Sequence, residues 1–358
     1  MPQVSAVDMQ DRRSFFIEAV PTVLVPPLAF LGFFLTLWVY KCCMMVLFQN
    51  QIIYMPGLPP GSRQERIEDY RGSYKDVLWE EKHIRSLDGT DIALCLGTLK
   101  SGEDQNKQEI ASSANHIIIL YFQGNGSSLP PRLPGLSKIL SGLGKYESGN
   151  ATNRSYTIIA LSYRGYWTSR GRPSQPGIEK DAFAALQWVT QQYGSNPDYR
   201  VILWGQSLGA GVATSCWKSH IHAVRRREGQ NTDLRIGGLI LETPFLSLRS
   251  MLTALYPQKW LPYRYLWPFL RSWWDTEAAL REIISVSPSA RAIPVMLVIA
   301  AKDEIVPSIQ AEQLFSLCKN LGMNVLRESV PGALHTEAMA KQQGRKIVLD
   351  FIRRATED

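Results

Sequence analysis

From residue 116 onward, short apolar runs alternate with longer stretches of helical period. HIIILYF (116–122), YTIIALSY (156–163), VILWG (201–205), IGGLILE (236–242) and PVMLVIA (294–300) are rich in Ile, Leu and Val and nearly free of charge. Such runs predict strands covered on both faces, because a parallel sheet between two helix layers has no wet face. Between them, IEKDAFAALQWVTQQYG puts Ile178, Ala182, Ala185, Leu186 and Val189 on one stripe, and Gly194 can end that helix. Strands spaced by helices predict right-handed βαβ units in a doubly wound, mostly parallel α/β sheet. Ahead of it, VLWEEKHIRSLDGTDIALCLGTL (77–99) predicts an antiparallel hairpin that turns at Asp88-Gly89. A strand at MNVLRESV and a last helix ending near Thr356 complete the pattern.

A different pattern occupies the N-terminus. AVPTVLVPPLAFLGFFLTLWVY (19–40) contains no charged residue, and CCMMVLF continues it after Lys41. About 20 apolar residues are enough for a helix to cross a bilayer. A cleaved signal peptide has a shorter apolar stretch and ends in small residues, which this run does not. The pattern therefore predicts a tail at 1–18, a transmembrane anchor at 19–47, with Pro26-Pro27 starting or kinking the helix, and one α/β domain at 48–358. Arg12 and Arg13 precede the run and only Lys41 follows closely, which points the N-terminus to the cytosol and the domain to the lumen or cell exterior. Two glycosylation acceptors in a polar stretch, Asn150 and Asn153, point the same way, whereas Cys42 and Cys43 would suit palmitoylation on a cytosolic face.

Composition removes several alternatives. A chain of 358 residues, 45% hydrophobic, can fill one large core and carry an appendage. The net charge of +7 is spread along the chain and does not indicate nucleic acid. Its one dense basic run, Arg225-Arg226-Arg227, reads as a solvated loop. Five scattered cysteines make no disulfide framework, and no His/Cys spacing suggests a metal site.

The candidate chemistry lies in VILWGQSLGAGVA. Gly205-Gln206-Ser207-Leu208-Gly209 follows a strand and opens a helix, the setting in which a G-x-S-x-G turn presents a nucleophilic serine. That hydroxyl needs a base, and the base needs an acid to hold it. Of the five histidines, His83 lies in the early hairpin, His116 at the far end of a strand, and His220 and His222 at the distal end of the serine's helix. His335, in VPGALHTEAMA, remains as the base. Asp303 follows PVMLVIA and is the acid; Glu304 is the near competitor and Asp275 a remote one. The order Ser207, Asp303, His335 is that of an α/β-hydrolase. Two backbone N–H groups are needed at the developing oxyanion. Leu208 supplies one, and Asn125, in the glycine-rich loop Gln123-Gly124-Asn125-Gly126-Ser127, supplies the other. Its sequon, Asn125-Gly-Ser127, then stays unglycosylated, because a glycan there would block the cleft.

The chain resembles the membrane-anchored α/β-hydrolase-domain proteins, notably the fungal bud-emergence family and the anchored lysophospholipid or monoacylglycerol lipases. FQNQIIYMP, YFQGNGSS, LSYRGYWTSRGRPSQPGIEKDAFAALQW, WGQSLGAGVATS, AKDEIVP and the His335 loop carry the likeness, over about residues 48–350. It implies an α/β-hydrolase fold with Ser207, Asp303 and His335 as nucleophile, acid and base. Such proteins usually have His-Gly-Asn where this chain has Gln123-Gly124-Asn125. Gln123 and Gly124 are thus expected to support the oxyanion loop, the glutamine through its own hydrogen bonds. KYESGNATNRSYT looks like an insertion relative to the family.

Residues 243–292 are too long for a plain crossover and hold eight aromatic rings between Tyr256 and Trp274. In this fold the insertion forms a cap over the active site. Trp and Tyr mixed with Lys259, Arg264 and Arg271 suit a membrane interface. The expected substrate is an acyl ester such as a lysophospholipid or monoacylglycerol, or an acyl thioester, cleaved without a cofactor. The competing reading is a non-catalytic membrane scaffold on the same fold, for which the substitution at Gln123 is the only support.

Overall fold

The computed structural model describes residues 21–357 apart from Lys75, 101–114, 149–153, Ser195, Pro197 and 227–233. The 1–18 tail, Arg12, Arg13, Arg227 and the acceptors Asn150 and Asn153 lie outside the described residues.

Eight strands form one sheet: β1 (Val77–Arg85), β2 (Asp91–Leu99), β3 (Asn115–Phe122), β4 (Arg154–Leu161), β5 (Arg200–Gln206), β6 (Arg235–Glu242), β7 (Val295–Ala300) and β8 (Val325–Val330). Their spatial order is β1-β2-β4-β3-β5-β6-β7-β8. β2 pairs antiparallel with β1 and with β4, and every other pairing is parallel. The hairpin turns where Asp88-Gly89 predicts it; Gly89 has φ +81°, the left-handed region that glycine enters freely. β3 and β5 are buried over almost their whole length, as apolar runs covered on both sides require. β8 is exposed at four of its six residues, because it closes the sheet edge.

The described α-helices are α1 (Val25–Leu47), α2 (Gln49–Ile53), α3 (Leu133–Ser148), α4 (Gln175–Tyr193), α5 (Leu208–Arg226), α6 (Leu248–Leu255), α7 (Thr276–Val286), α8 (Ser308–Asn320) and α9 (Gln342–Thr356). α4, α5, α7 and α8 cover one face of the sheet and α3 and α9 the other, giving two apolar layers. The predicted stripe Ile178, Ala182, Ala185, Leu186 and Val189 is buried in the first layer. Arg164, from the SYRGYW stretch, binds Asp181 of α4 at 2.7 Å and Asp88 of the hairpin turn at 2.9 Å. Those bonds hold the Asp88 carboxyl well below its ordinary range and tie the hairpin to the helix layer.

Thr22–Leu47 is apolar over 26 residues, and no residue of α1 is buried. At 1.5 Å per residue it is about 39 Å long, against a hydrocarbon core of about 30 Å. By length and composition it can cross a membrane. Pro26 and Pro27 fall in the first turn of α1, where the missing N–H groups cost no helical bond.

Residues 243–292, expected to form a cap, divide into two parts. α6 brings Leu248, Met251 and Leu252 to the cavity beside Ser207, and two 3₁₀ turns, Pro262–Tyr265 and Trp267–Phe269, follow it. α7 does not belong with them: Leu280 and Ile283 are wholly buried in the helix layer beside α5. Its apolar stripe finds the sheet's own core, so the chain has returned to the layer by Thr276.

Candidate active site

β5 ends at Gln206 and α5 begins at Leu208, so a single residue makes the turn. That residue, Ser207, has φ +51°, a strained value for a side chain with a β-carbon. The flanking glycines make the turn possible. A β-carbon on Gly205 would stand 2.0 Å from the Gly209 carbonyl oxygen, and one on Gly209 would stand 2.0 Å from the Phe122 carbonyl oxygen. The Ser207 N–H continues the sheet by donating to the Glu242 carbonyl at 2.8 Å.

His335 reaches this serine from the loop between β8 and α9. Its Nε2 lies 2.8 Å from Ser207 Oγ, and its Nδ1 lies 2.8 Å from Asp303 Oδ2. Histidine and aspartate are both buried, with side chains 5% and 6% exposed. Burial works to raise the Asp303 carboxyl, but the bonds from His335, Val306 N–H and Ile305 N–H outweigh it and hold it below its ordinary value. Glu304, the competing acid, instead accepts the His335 backbone N–H at 2.9 Å. Asp275 caps α7 by accepting the Ala278 N–H at 2.9 Å. The other histidines are committed elsewhere: His83 to Glu81 and Asp91, His222 to Glu282, and His116 and His220 to buried positions where desolvation pushes both down to about 4.

Leu208 is the first residue of α5, so its N–H has no helical carbonyl and joins the positive end of the helix. The facing loop after β3 comes close because Gly124 lacks a β-carbon; one there would sit 3.2 Å from Gln206 Oε1 and 3.6 Å from Ser207 Cβ. Asn125 anchors that loop with its side chain. Its Nδ2 donates to the Ile53 carbonyl at 2.6 Å, and its Oδ1 accepts from Tyr166 OH at 2.8 Å and from the Met55 N–H at 3.1 Å. Gln123 departs from expectation. Its side chain is wholly buried, and among the described residues neither Oε1 nor Nε2 has a hydrogen-bond partner. The bracing comes from Asn125 and from Tyr163 OH, which donates to the Gln123 backbone carbonyl at 2.7 Å.

A serine, histidine and aspartate in hydrogen-bonded line at the start of a helix is an arrangement that can carry out acyl transfer. Comparison with known proteins agrees with this chemistry. The chain is 24% identical to Protein bem46 of Schizosaccharomyces pombe over 307 residues, 85% of this chain and 86% of that protein. It is 32% identical to Lysophosphatidylserine lipase ABHD12 of Mus musculus over 221 residues, 60% of this chain and 49% of that one, so it spans about half the length of the lipase. A solved alpha-beta hydrolase from Vibrio vulnificus shares the fold with a TM-score of 0.59 at 17% identity, over 86% of this chain and 92% of that one. No family model matches. The chain has the α/β-hydrolase fold, and its lipase relatives support a carboxylic ester hydrolase of that type.

Beneath Ser207 lies a polar network that the sequence reading missed. Glu242 is wholly buried at the end of β6 and accepts from Trp204 Nε1 and Gln206 Nε2, each at 3.0 Å. Arg132 donates through Nη1 to Gln206 Oε1 and through Nη2 to the Gly126 carbonyl at 3.2 Å. One guanidinium thus ties the loop carrying Asn125 to the residue before Ser207. Burial raises the Glu242 carboxyl to about 7 against these bonds and the Arg132 charge. A carboxylate ending the otherwise apolar run IGGLILE was the available signal; nothing local pairs Arg132 with Gln206, 74 residues away. Ser207 and His335 open into a cavity of about 340 Å³, walled on the cap side by Leu248, Met251 and Leu252. Among the described residues no cluster of His, Cys, Asp and Glu is arranged to hold a metal ion.

Proposed function

We propose that the protein is a membrane-anchored serine hydrolase that cleaves an acyl ester through an acyl-enzyme. The observation that carries the reading is the continuous chain from Ser207 Oγ to His335 to Asp303. In this scheme Ser207 Oγ attacks the acyl carbonyl while His335 Nε2 takes its proton. The N–H groups of Leu208 and Asn125 hold the oxyanion, and Asp303 keeps the imidazole in place as it becomes charged. Collapse of the tetrahedral adduct breaks the ester bond, and His335 returns the proton to the leaving alcohol. Water then attacks the acyl-enzyme with His335 again as base, which frees the acid and the serine. No cofactor enters. The apolar cavity and the helix Thr22–Leu47 favour a lipid ester with one acyl chain, a lysophospholipid or a monoacylglycerol, over a water-soluble ester or a thioester. The lipase relative named above fits that class.

A fluorophosphonate probe tests the reading, because it labels an activated serine and ignores an inert one. Wild-type protein is expected to be labelled and Ser207→Ala not, with ester hydrolysis reduced on the order of 10⁴-fold or more. His335→Ala should be nearly as damaging, since nucleophile and base act as one unit. Labelling that survives Ser207→Ala removes the assignment, and an unlabelled wild type favours the scaffold.

A further inference from the structure

The cavity at Ser207 is not walled by the α/β domain alone. Met45, from the last turn of α1, and Ile52, Ile53 and Met55, from α2 and the residues after it, line it opposite the cap residues Leu252 and Leu255. We propose that the end of the membrane helix forms the acyl-chain site, so that a lipid's acyl chain enters sideways from the bilayer between α1 and the cap. This rests on the serine-hydrolase reading above and adds where the acyl chain lies.

Helix and cap are joined closely enough to make one binding surface. Gln49 is 5% exposed, and its amide is used at both ends: Nε2 donates to the Phe269 carbonyl at 3.0 Å, and Oε1 accepts the Arg271 N–H at 2.6 Å. Tyr54 OH donates to Ser272 Oγ at 2.9 Å and accepts from Trp274 Nε1 at 2.8 Å. Further up, Trp38 stacks on Trp260 at 5.8 Å, and Lys41 Nζ lies 4.7 Å above the Tyr263 ring. A buried amide satisfied twice by the cap backbone fixes the helix end against it, since separating them would strand those groups.

The depth also fits. Thr22 to Lys41 is 20 residues, about 30 Å of helix, which matches the hydrocarbon core. Met45 lies one turn further, at headgroup level, just past Lys41, whose ammonium over the Tyr263 ring suits the interface. The mouth is apolar on both sides: Ile52 is 54% exposed and Leu255 62% exposed. Facing water, such a rim would be costly; facing lipid, it is matched. The polar groups, Ser207, His335, Arg132 and Gln206, gather at the inner end, where an ester bond would stop.

The test uses the full chain in vesicles and compares kcat/KM for the palmitoyl and acetyl esters of p-nitrophenol. Met45→Trp and Ile52→Trp put bulk into the proposed acyl site; Ile52 is half exposed, so its variant does not disturb a core. Each should lower the palmitoyl-to-acetyl ratio at least tenfold. Phe33→Trp, on α1 but away from the cavity, should leave the ratio unchanged. An unaltered ratio in both cavity variants, or an equal fall in Phe33→Trp, overturns the proposal while acetyl hydrolysis and fluorophosphonate labelling keep the serine-hydrolase reading standing. A wild type that neither labels nor hydrolyses acetyl ester removes both.

Discussion

Glu242 shows how a side chain next to the reacting groups can carry a cost of its own. Its carboxyl is buried, and its donors, Trp204 and Gln206, only partly offset the loss of water, so its value rises from 4.5 to about 7. Below about 4.5 the group is protonated in both folded and unfolded chains. As pH rises towards 7 the unfolded chain releases that proton first, and the folded state loses stability relative to it. The loss is complete above about 7 and is on the order of 3 kcal/mol. Glu242→Gln cannot titrate. Unfolding by urea at pH 5 and pH 8 should therefore show the variant gaining on wild type as pH rises; a gap that stays constant would mean Glu242 is ionised throughout. At this scale the sequence was readable where residue type and position along a strand decide. It named Ser207, Asp303 and His335, and the structure sets them in hydrogen-bonding line. It was not readable at Gln123, because whether a buried amide finds a partner depends on neighbours distant in the chain.

Among the elements, the β5–Ser207–α5 turn is the most tightly constrained. Gly209 packs against the carbonyl end of β3, where a methyl group would meet the Phe122 oxygen at 2.0 Å, and backbone cannot yield as a side-chain tip can. Gly209→Ala should cost at least about 2–3 kcal/mol, read as a lower urea midpoint, with loss of fluorophosphonate labelling. Gly211→Ala is the comparison. Its β-carbon would meet Trp274 at 3.3 Å, and the cost should be smaller. Equal midpoints for the two variants would show that α5 can shift away from the sheet. The strands and helices themselves were legible, since periods of 2 and 3.6 are local properties. The cap was legible only in outline: Leu280 and Ile283 carry a helical stripe that would suit a cap or a layer, and only the tertiary fold puts it under α5.

At the scale of the whole molecule, with Thr22–Leu47 proposed as a membrane anchor, the orientation of the chain would decide which lipid leaflet the cavity meets. Arg12, Arg13 and the acceptors at Asn150 and Asn153 support a cytosolic N-terminus with the hydrolase domain on the lumenal or outer side. Endoglycosidase treatment is then expected to shift the protein on a gel, and the shift should vanish in the Asn150→Gln/Asn153→Gln double variant. Digestion of the hydrolase domain in sealed microsomes by protease added from the cytosolic side would reverse the orientation. In an active enzyme Asn125 should contribute no shift, because it lines the cavity at Ser207 and a glycan there would block the cleft.

By itself the sequence determined what short-range patterns encode. Uncharged apolar runs specified the sheet, a glycine-flanked serine after one of them specified the turn, and an uncharged stretch of about 20 residues specified a helix able to cross a membrane. Chain order then paired Ser207 with Asp303 and His335. Only the tertiary structure decided that Arg132 joins the loop after β3 to Gln206, and that Met45 faces the same cavity as His335. Those partners are tens to hundreds of residues apart. No period or spacing records such a contact, because it arises from how rigid elements pack once each has formed.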